Sequence, residues 1–348
     1  FMTLGARAAA LRAEACAIVP AELLQLLQSA SKIWIIPHER PDADALGAAL
    51  GLQSILKQRG AEVAVFCADT PAAVYDVIPT IHRVLTEPPA WTPDAVVLVD
   101  CGDSRRAGRA GALMEALPSS VTRATIDHHV SNRSSSPLQW IDPTAAATCE
   151  MITLIAVALG SDLAAEDGNL AATLAAGIIM DTATFQHNNT TPRTLQMAAL
   201  LLEAGAPISE ISRRLYRSKP AAQVRLHARV LDRIQMSDGG LTVWVAALKS
   251  DLQATGARPD ETEGIVDTLA QIDEADVALF FKEEGADATR LSIRTKAQGL
   301  DATKIAALFG GGGHARAAGA SVAAPLDDAV ATVLRAVTSL RTGHGAEA

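Results

Sequence analysis

The chain has 348 residues, 49% hydrophobic and 20% charged, which suits one large or two medium domains with sizeable cores and excludes a disordered chain. Its net charge of −9 argues against a general binder of long nucleic acid, whose footprint is basic, while leaving room for a locally positive pocket. Cys16, Cys67, Cys101 and Cys149 form no Cys-x-x-Cys pair and read as small, reduced core residues of a cytoplasmic protein; no apolar run approaches the ~20 residues of a bilayer span, and residues 1–18 lack a leader pattern.

Residues 3–30 are Ala- and Leu-rich at helical spacing, with Pro20 suited to a first turn. Residues 33–37 read as a buried strand, followed by His38-Glu39-Arg40-Pro41-Asp42-Ala43-Asp44 and a helix over 45–59 closed by Gly60. Further strands are expected at 62–67, 94–100 and 123–126. The last two stop at Asp100-Cys101-Gly102-Asp103 and at Asp127-His128-His129. Helices follow at 144–159 and 169–180, the second ending at Asp181-Thr182, and another runs to Gly205. Strands alternating with helices predict a parallel, doubly wound α/β sheet domain over 1–206. Helices at 208–216 and 221–236 place a helical linker at 207–240. Beyond it come a strand at 241–248, a helix at 260–273, strands at 276–283 and 289–295 and a helix at 301–309. Gly310-Gly311-Gly312-Gly313-His314, a strand at 320–324 and a helix at 326–341 complete a smaller mixed α/β domain over 241–348.

Each acidic cluster has an ordinary explanation when taken alone. Asp44 reads as a helix cap, Asp100 and Asp103 as turn residues, and Asp181 as one acid after a helix. Together they fall where a parallel sheet gathers its functional loops, beyond the carboxyl ends of the strands. His38, Asp42, Asp44, Asp100, Asp127, His128, His129 and Asp181 are too many groups for a single four-ligand zinc site. Mixed oxygen and nitrogen donors without thiolate suit two divalent ions, Mn(II) or Mg(II), which activate water and stabilise in-line attack on phosphorus. The glycine run exposes backbone N–H groups to a phosphate, with His314 and Arg316 as further donors; it lacks the ending of a P-loop. Chemistry alone leaves Arg294 between a bidentate phosphate contact and a solvated face. Arg225, Arg229 and Arg233, four apart on one helix, read as a solvated face. The four tryptophans read as core.

The ordered set His38-Glu-Arg-Pro-Asp42-Ala-Asp44-Ala-Leu-Gly47, Val99-Asp100, Asp127-His128-His129, Asp181-Thr182 and Gly310-Gly-Gly-Gly-His314-Ala-Arg-Ala-Ala-Gly319 resembles the DHH phosphoesterase superfamily, in the group carrying a C-terminal DHH-associated domain of the first type. Its nanoRNase members also act on 3′-phosphoadenosine-5′-phosphate (pAp). The resemblance covers about residues 30–325 and implies an active site in the cleft between two domains. It implies that His38, Asp42 and Asp100 hold one Mn(II) and that Asp44, Asp100, His128 and Asp181 hold the other. Asp127 would support the site and His129 would touch the scissile phosphate. Arg294 and Gly310, Gly311, Gly312, Gly313 and His314 would grip the nucleotide. Short RNA, dinucleotides and pAp are the implied substrates, and a homodimer is compatible with the group. Gln186 stands where relatives often carry Arg, and Asp103 has no assigned role. The rival readings are a cyclic-dinucleotide phosphodiesterase, a RecJ-type single-strand DNA exonuclease, disfavoured by the lack of a further nucleic-acid-binding domain after 341, and a non-catalytic nucleotide sensor, disfavoured by the intact ligand set.

Overall fold

Apolar residues that alternate between two faces build the first sheet. The computed structural model of the chain describes residues 4–130 and 132–343. Strands β1 (Lys32–Ile36), β2 (Glu62–Phe66), β3 (Val84–Leu85), β4 (Ala95–Val99), β5 (Thr122–Asp127) and β6 (Leu138–Ile141) lie in the order β3-β2-β1-β4-β5-β6. Every pairing is parallel, with Ile33 opposite both Val63 and Ala95, and Val99 opposite Ile126. Ile33, Ile35, Val97, Val99 and Ile126 face one core; Trp34, Ile36, Val96 and Leu98 face the other, as a period of two requires.

Helices α1 (Leu4–Ile18), α2 (Ala21–Ser29), α3 (Ala43–Lys57), α4 (Gly108–Glu115), α5 (Thr148–Leu159), α6 (Asn169–Asp181), α7 (Pro192–Glu203) and α8 (Ile208–Tyr216) complete this unit. α4 covers the second face through Ala110 and Met114, while α3, α5 and α6 cover the first. Residues 43–56 of α3 are all buried, which explains the small residues there. A Cβ on Gly47 would stand 2.7 Å from the Thr173 carbonyl oxygen and 2.8 Å from Cys149 Sγ, so glycine sets how closely α3 meets α5 and α6.

The chain divides between Ser218 and Lys219, so the expected linker is no separate piece: α8 belongs to the first unit and α9 (Ala221–Leu231) to the second. The second unit holds β7 (Gln235–Ser237), β8 (Thr242–Ala247), β9 (Val277–Glu283), β10 (Thr289–Thr295), β11 (Gly312–His314) and β12 (Ala317–Val322), in the order β11-β12-β10-β9-β8-β7. β8 and β9 pair parallel and the remaining neighbours antiparallel, which makes the sheet mixed. Its helices are α9, α10 (Lys249–Thr255), α11 (Ile265–Leu269), α12 (Ala302–Ala307) and α13 (Leu326–Thr342). Leu279, Phe281, Leu291 and Ile293 pack on α12 and α13; Val243, Val245 and Phe280 pack against Leu226, Val230, Ile265 and Leu269 of α9 and α11.

Several expectations need correction. The helix expected at 221–236 stops at Leu231, and Met236 enters the edge strand β7. The helix expected at 260–273 is a 3-10 turn, Pro259–Thr262, followed by α11, because Gly264 adopts a left-handed φ of +87° between them. Arg229 and Arg233 do not form a free solvated face. Arg229 Nε donates to Oδ1 of the buried Asp251 at 2.7 Å, and Arg233 binds both carboxylate oxygens of the same residue. Cys16 is exposed, whereas Cys67, Cys101 and Cys149 are buried thiols.

Candidate metal centre and active site

The loops leaving β1, β4 and β5, with the end of α6, bring the acidic clusters of the first unit together. The order β1-β4-β5 puts three of these loops side by side at one edge of the sheet. Among the described residues, ligand-type atoms fall into three groups whose members lie within 4.8 Å of one another: His38 with Asp42 and Asp100; Asp44 with His128 and Asp181; and Asp100 with His128 and His129.

Each residue is held by its own local chemistry. Asp42, not Asp44, caps α3: its Oδ1 accepts from the N–H groups of Asp44 and Ala45, both at 3.0 Å. Asp44 is fully buried and turns to another helix, accepting from Thr148 N at 2.6 Å and Cys149 N at 2.9 Å, at the positive N-terminus of α5. Asp100 ends β4 with a left-handed φ of +53°, strain of the kind found at functional turns. Its Oδ1 accepts from Thr148 Oγ1 at 2.9 Å and lies 3.6 Å from His128 Nε2, while its Oδ2 lies 3.7 Å from His38 Nε2. Asp100 therefore sits between the two ligand sets.

The imidazoles are oriented from behind. His38 Nδ1 donates to the Glu39 carbonyl at 2.7 Å, and His128 Nδ1 donates to the Ala145 carbonyl at 3.3 Å, so each turns Nε2 toward the acids. His128 Nε2 is buried 3.2 Å from Asp181 Oδ2 and 3.9 Å from Asp44 Oδ2, yet in directions that make no hydrogen bond. A buried ring nitrogen converging with carboxylate oxygens, the far nitrogen held by a carbonyl, fits a divalent cation that would displace its proton. His129 is held differently: its Nδ1, 3.5 Å from Asp100 Oδ1, donates to Asp127 Oδ1 at 2.7 Å, and Asp127 also accepts from Asn132 Nδ2 at 2.5 Å.

Electrostatics match a cluster made for cations. Burial, then the neighbouring Asp181 and Asp100, pushes Asp44 well above the usual carboxylate range. Burial, then Asp42 and Asp181, raises Asp100 to about 6. Burial disfavours the charged form of His128, but Asp181, Asp44 and Asp100 outweigh it and raise the imidazole to about 10. Burial would also raise Asp127, yet the bonds from His129 and Asn132 bring it below its ordinary value, and Asp127 in turn raises His129. The supported imidazole is thus more basic than a free one, beside the acids.

The remaining singled-out residues sort differently. Asp103 caps the 3-10 turn Ser104–Ala107, accepting from Arg105 N at 2.7 Å, which gives it a structural role. In the second unit, Gly312–His314 is not an open loop but strand β11, paired with Ala317–Gly319. A Cβ on Gly311 would overlap Gly319, and one on Gly313 would meet the Ala317 carbonyl oxygen at 2.5 Å; Gly312 has an ordinary φ and open space around it. Arg316 is committed to the carbonyls of Lys296 and Ala297, so it is no free donor. Arg294 donates to Asp267 Oδ1 at 2.8 Å and lines a 380 Å³ cavity with Lys282, Arg290 and Ser292, while His314 is exposed. Sequence reasoning passed over Thr148 and Asn132, which hold Asp100 and Asp127, and Tyr216, whose hydroxyl bonds Met180 next to Asp181. Only the Asn132 spacing, five residues after Asp127, offered a signal.

The description "DHH family, N-terminal domain" matches residues 32–178, and "DHHA1 domain" matches residues 240–340. The chain is 34% identical over 328 residues to the bifunctional oligoribonuclease and PAP phosphatase NrnA of Thermus thermophilus, covering 93% of this chain and 94% of that protein. The chain belongs to the DHH family. Another DHH relative, NrnA of Bacillus subtilis, is 29% identical over 302 residues, covering 86% of this chain and 92% of that protein. An exopolyphosphatase-related protein from Bacteroides fragilis shares the fold, with a TM-score of 0.82 at 21% identity over 92% of this chain and 96% of that one. A RecJ exonuclease bound to manganese aligns with a TM-score of 0.51 at 15% identity over 94% and 96% of the two chains. The DHH fold thus accounts for both units.

Proposed function

We propose that this DHH protein is a metal-dependent phosphoesterase that degrades short oligoribonucleotides and dinucleotides to mononucleotides and dephosphorylates pAp to AMP. The observation that carries this reading is the convergence of His38, Asp42, Asp44, Asp100, His128 and Asp181 on one edge of the sheet. The near full-length likeness to proteins named oligoribonuclease and PAP phosphatase supports the substrate class.

His38, Asp42 and Asp100 would hold one divalent ion, and Asp44, Asp100, His128 and Asp181 a second, with Mn(II) favoured over Mg(II) by the imidazole donors. Such a pair, when bound, supplies Lewis-acid neutralisation of phosphoryl charge and lowers the pKa of water. Asp127 would make His129 more basic and orient it toward the scissile phosphate, where the imidazole N–H stabilises the phosphoryl oxygens. From the second unit, Arg294, His314 and the Gly310–Gly313 backbone bind the nucleotide. Gly312 supports this role, because the fold itself does not require a glycine there. Three buried free thiols suit a reducing cytoplasm. No helix among the described residues is long and apolar enough to cross a membrane.

The test is a product assay in Mn(II) with a five-nucleotide RNA, linear pApA, cyclic di-AMP and pAp side by side, and His128→Ala as control. Mononucleotides from the RNA and pApA and AMP from pAp, all lost in the control, support the proposal. Preference for cyclic di-AMP moves the protein to cyclic-dinucleotide turnover, and no turnover of any substrate removes the assignment.

A further inference from the structure

Asp181 occupies an unfavourable place for an acid. It is the last residue of α6, where the carbonyl ends of the helix concentrate negative charge and a carboxylate is repelled. The chain then turns through Ala183, Thr184 and Phe185, with φ of +46°, +60° and +63°, a left-handed run that residues bearing a Cβ disfavour. A carboxylate at this site needs outside support.

That support comes chiefly from α8. Tyr216 Oη donates to the Met180 carbonyl at 2.7 Å, and Ser212 Oγ lies 2.8 Å from Thr184 Oγ1 in a hydroxyl–hydroxyl bond. One helix thus holds the turn on both sides of Asp181. From the other direction, His187 Nδ1 and Asn189 Nδ2 donate to the carbonyl of Asp181 itself at 3.0 and 3.2 Å. Donors on these carbonyls offset the negative helix end, and the two α8 contacts fix the strained turn so that Oδ2 of Asp181 stays 3.2 Å from His128 Nε2.

We infer that Tyr216 and Ser212 are positioning residues for the metal centre, acting through the α6 terminus to set the Asp181 carboxylate. The inference rests on the reading of Asp181 as a metal ligand. Neither side chain touches substrate or metal in this account; both act on the backbone and turn that carry Asp181.

The experiment is a Mn(II) titration without substrate, following free Mn(II) by electron paramagnetic resonance, on the full chain and on Tyr216→Phe, Ser212→Ala and the double variant. Tyr216→Phe keeps the ring and removes one hydroxyl. The expected result is about ten-fold weaker binding at the weaker of two sites, a larger loss in the double variant, and kcat restored by excess Mn(II). A lowered melting temperature with both Mn(II) affinities unchanged marks a merely structural role and overturns the inference. A wild-type chain that takes up no Mn(II) overturns the metal reading and this inference together. Wild-type uptake of two ions with unchanged variants overturns the inference alone.

Discussion

Asp127 does not face the cluster of acids and imidazoles through a free oxygen; both of its oxygens are already engaged, by His129 and Asn132. Its substitution therefore separates phosphate stabilisation from metal binding. Asp127→Asn keeps a hydrogen bond to His129 but removes the negative charge that raises the basicity of the imidazole. The expected outcome is a kcat for pAp lowered about 10- to 100-fold with Mn(II) affinity little changed, read by single-turnover kinetics and metal titration. Loss of metal binding instead would place Asp127 among the ligands. In the second unit the glycines divide by what surrounds them. Gly312→Ala adds a methyl into open space and should leave stability within about 0.5 kcal/mol of wild type while raising KM about ten-fold, by blocking backbone approach to phosphate. Gly311→Ala should fail differently, by melting temperature, because its Cβ overlaps Gly319. An unchanged KM in Gly312→Ala would remove β11 from the substrate site.

At the scale of elements, sequence pattern was most informative where one face alone is buried. Periodicity placed α8 at 208–216 and β10 at 289–295 with the bounds observed. It also brought His38, Asp42, Asp100 and the Asp-His-His triplet to strand ends, because apolar runs stop abruptly there. It failed where tertiary partners decide. α10 is a short helix whose buried first-turn Asp251 is satisfied by Arg229 of α9 and by Arg233, which the end of α9 at Leu231 leaves free to reach it. Neither fact has a local signature. The supports of the candidate site were hidden for the same reason, since Thr148 lies 48 residues from Asp100 and Tyr216 lies 36 from Met180. The Asp251 cluster makes its own prediction. Burial would raise its pKa, but bonds from Arg233, Leu248 N and Arg229 lower it from 3.8 to about 2. Because the folded value is depressed, the stabilisation is present above pH ~4 and is lost as pH falls toward 2. Discounted for the partly exposed guanidinium groups, it is on the order of 1–2 kcal/mol. Asp251→Asn should thus lower stability at pH 7 by about that amount and flatten the decline in melting temperature of the second unit between pH 4 and 2. A wild-type slope in the variant would show that other carboxylates govern the acid limb.

For the molecule as a whole, the acidic balance is the feature that has to be squared with a nucleic-acid substrate. A net charge of −9 gives a long polyanion no general attraction, so under the proposed function affinity would come from local donors and from cations held at the candidate metal centre. Arg294 is itself paired with Asp267, and Arg316 is committed to backbone carbonyls, so neither is a free cation waiting for a phosphate chain. A substrate held through about two phosphates should show a shallow salt dependence, with log K falling at about 0.7 per phosphate for a single strand. Between 50 and 200 mM salt, KM for pApA should then rise only about seven-fold, and the slope should not steepen from a five-nucleotide to a twenty-nucleotide RNA. Steady-state kinetics at fixed Mn(II) across that salt range give the slope directly. A slope that grows with RNA length would reveal an extended basic track and turn the reading toward a processive exonuclease. A constant, shallow slope fits an enzyme that grips one end of a short chain, because added nucleotides then lie outside the protein's field.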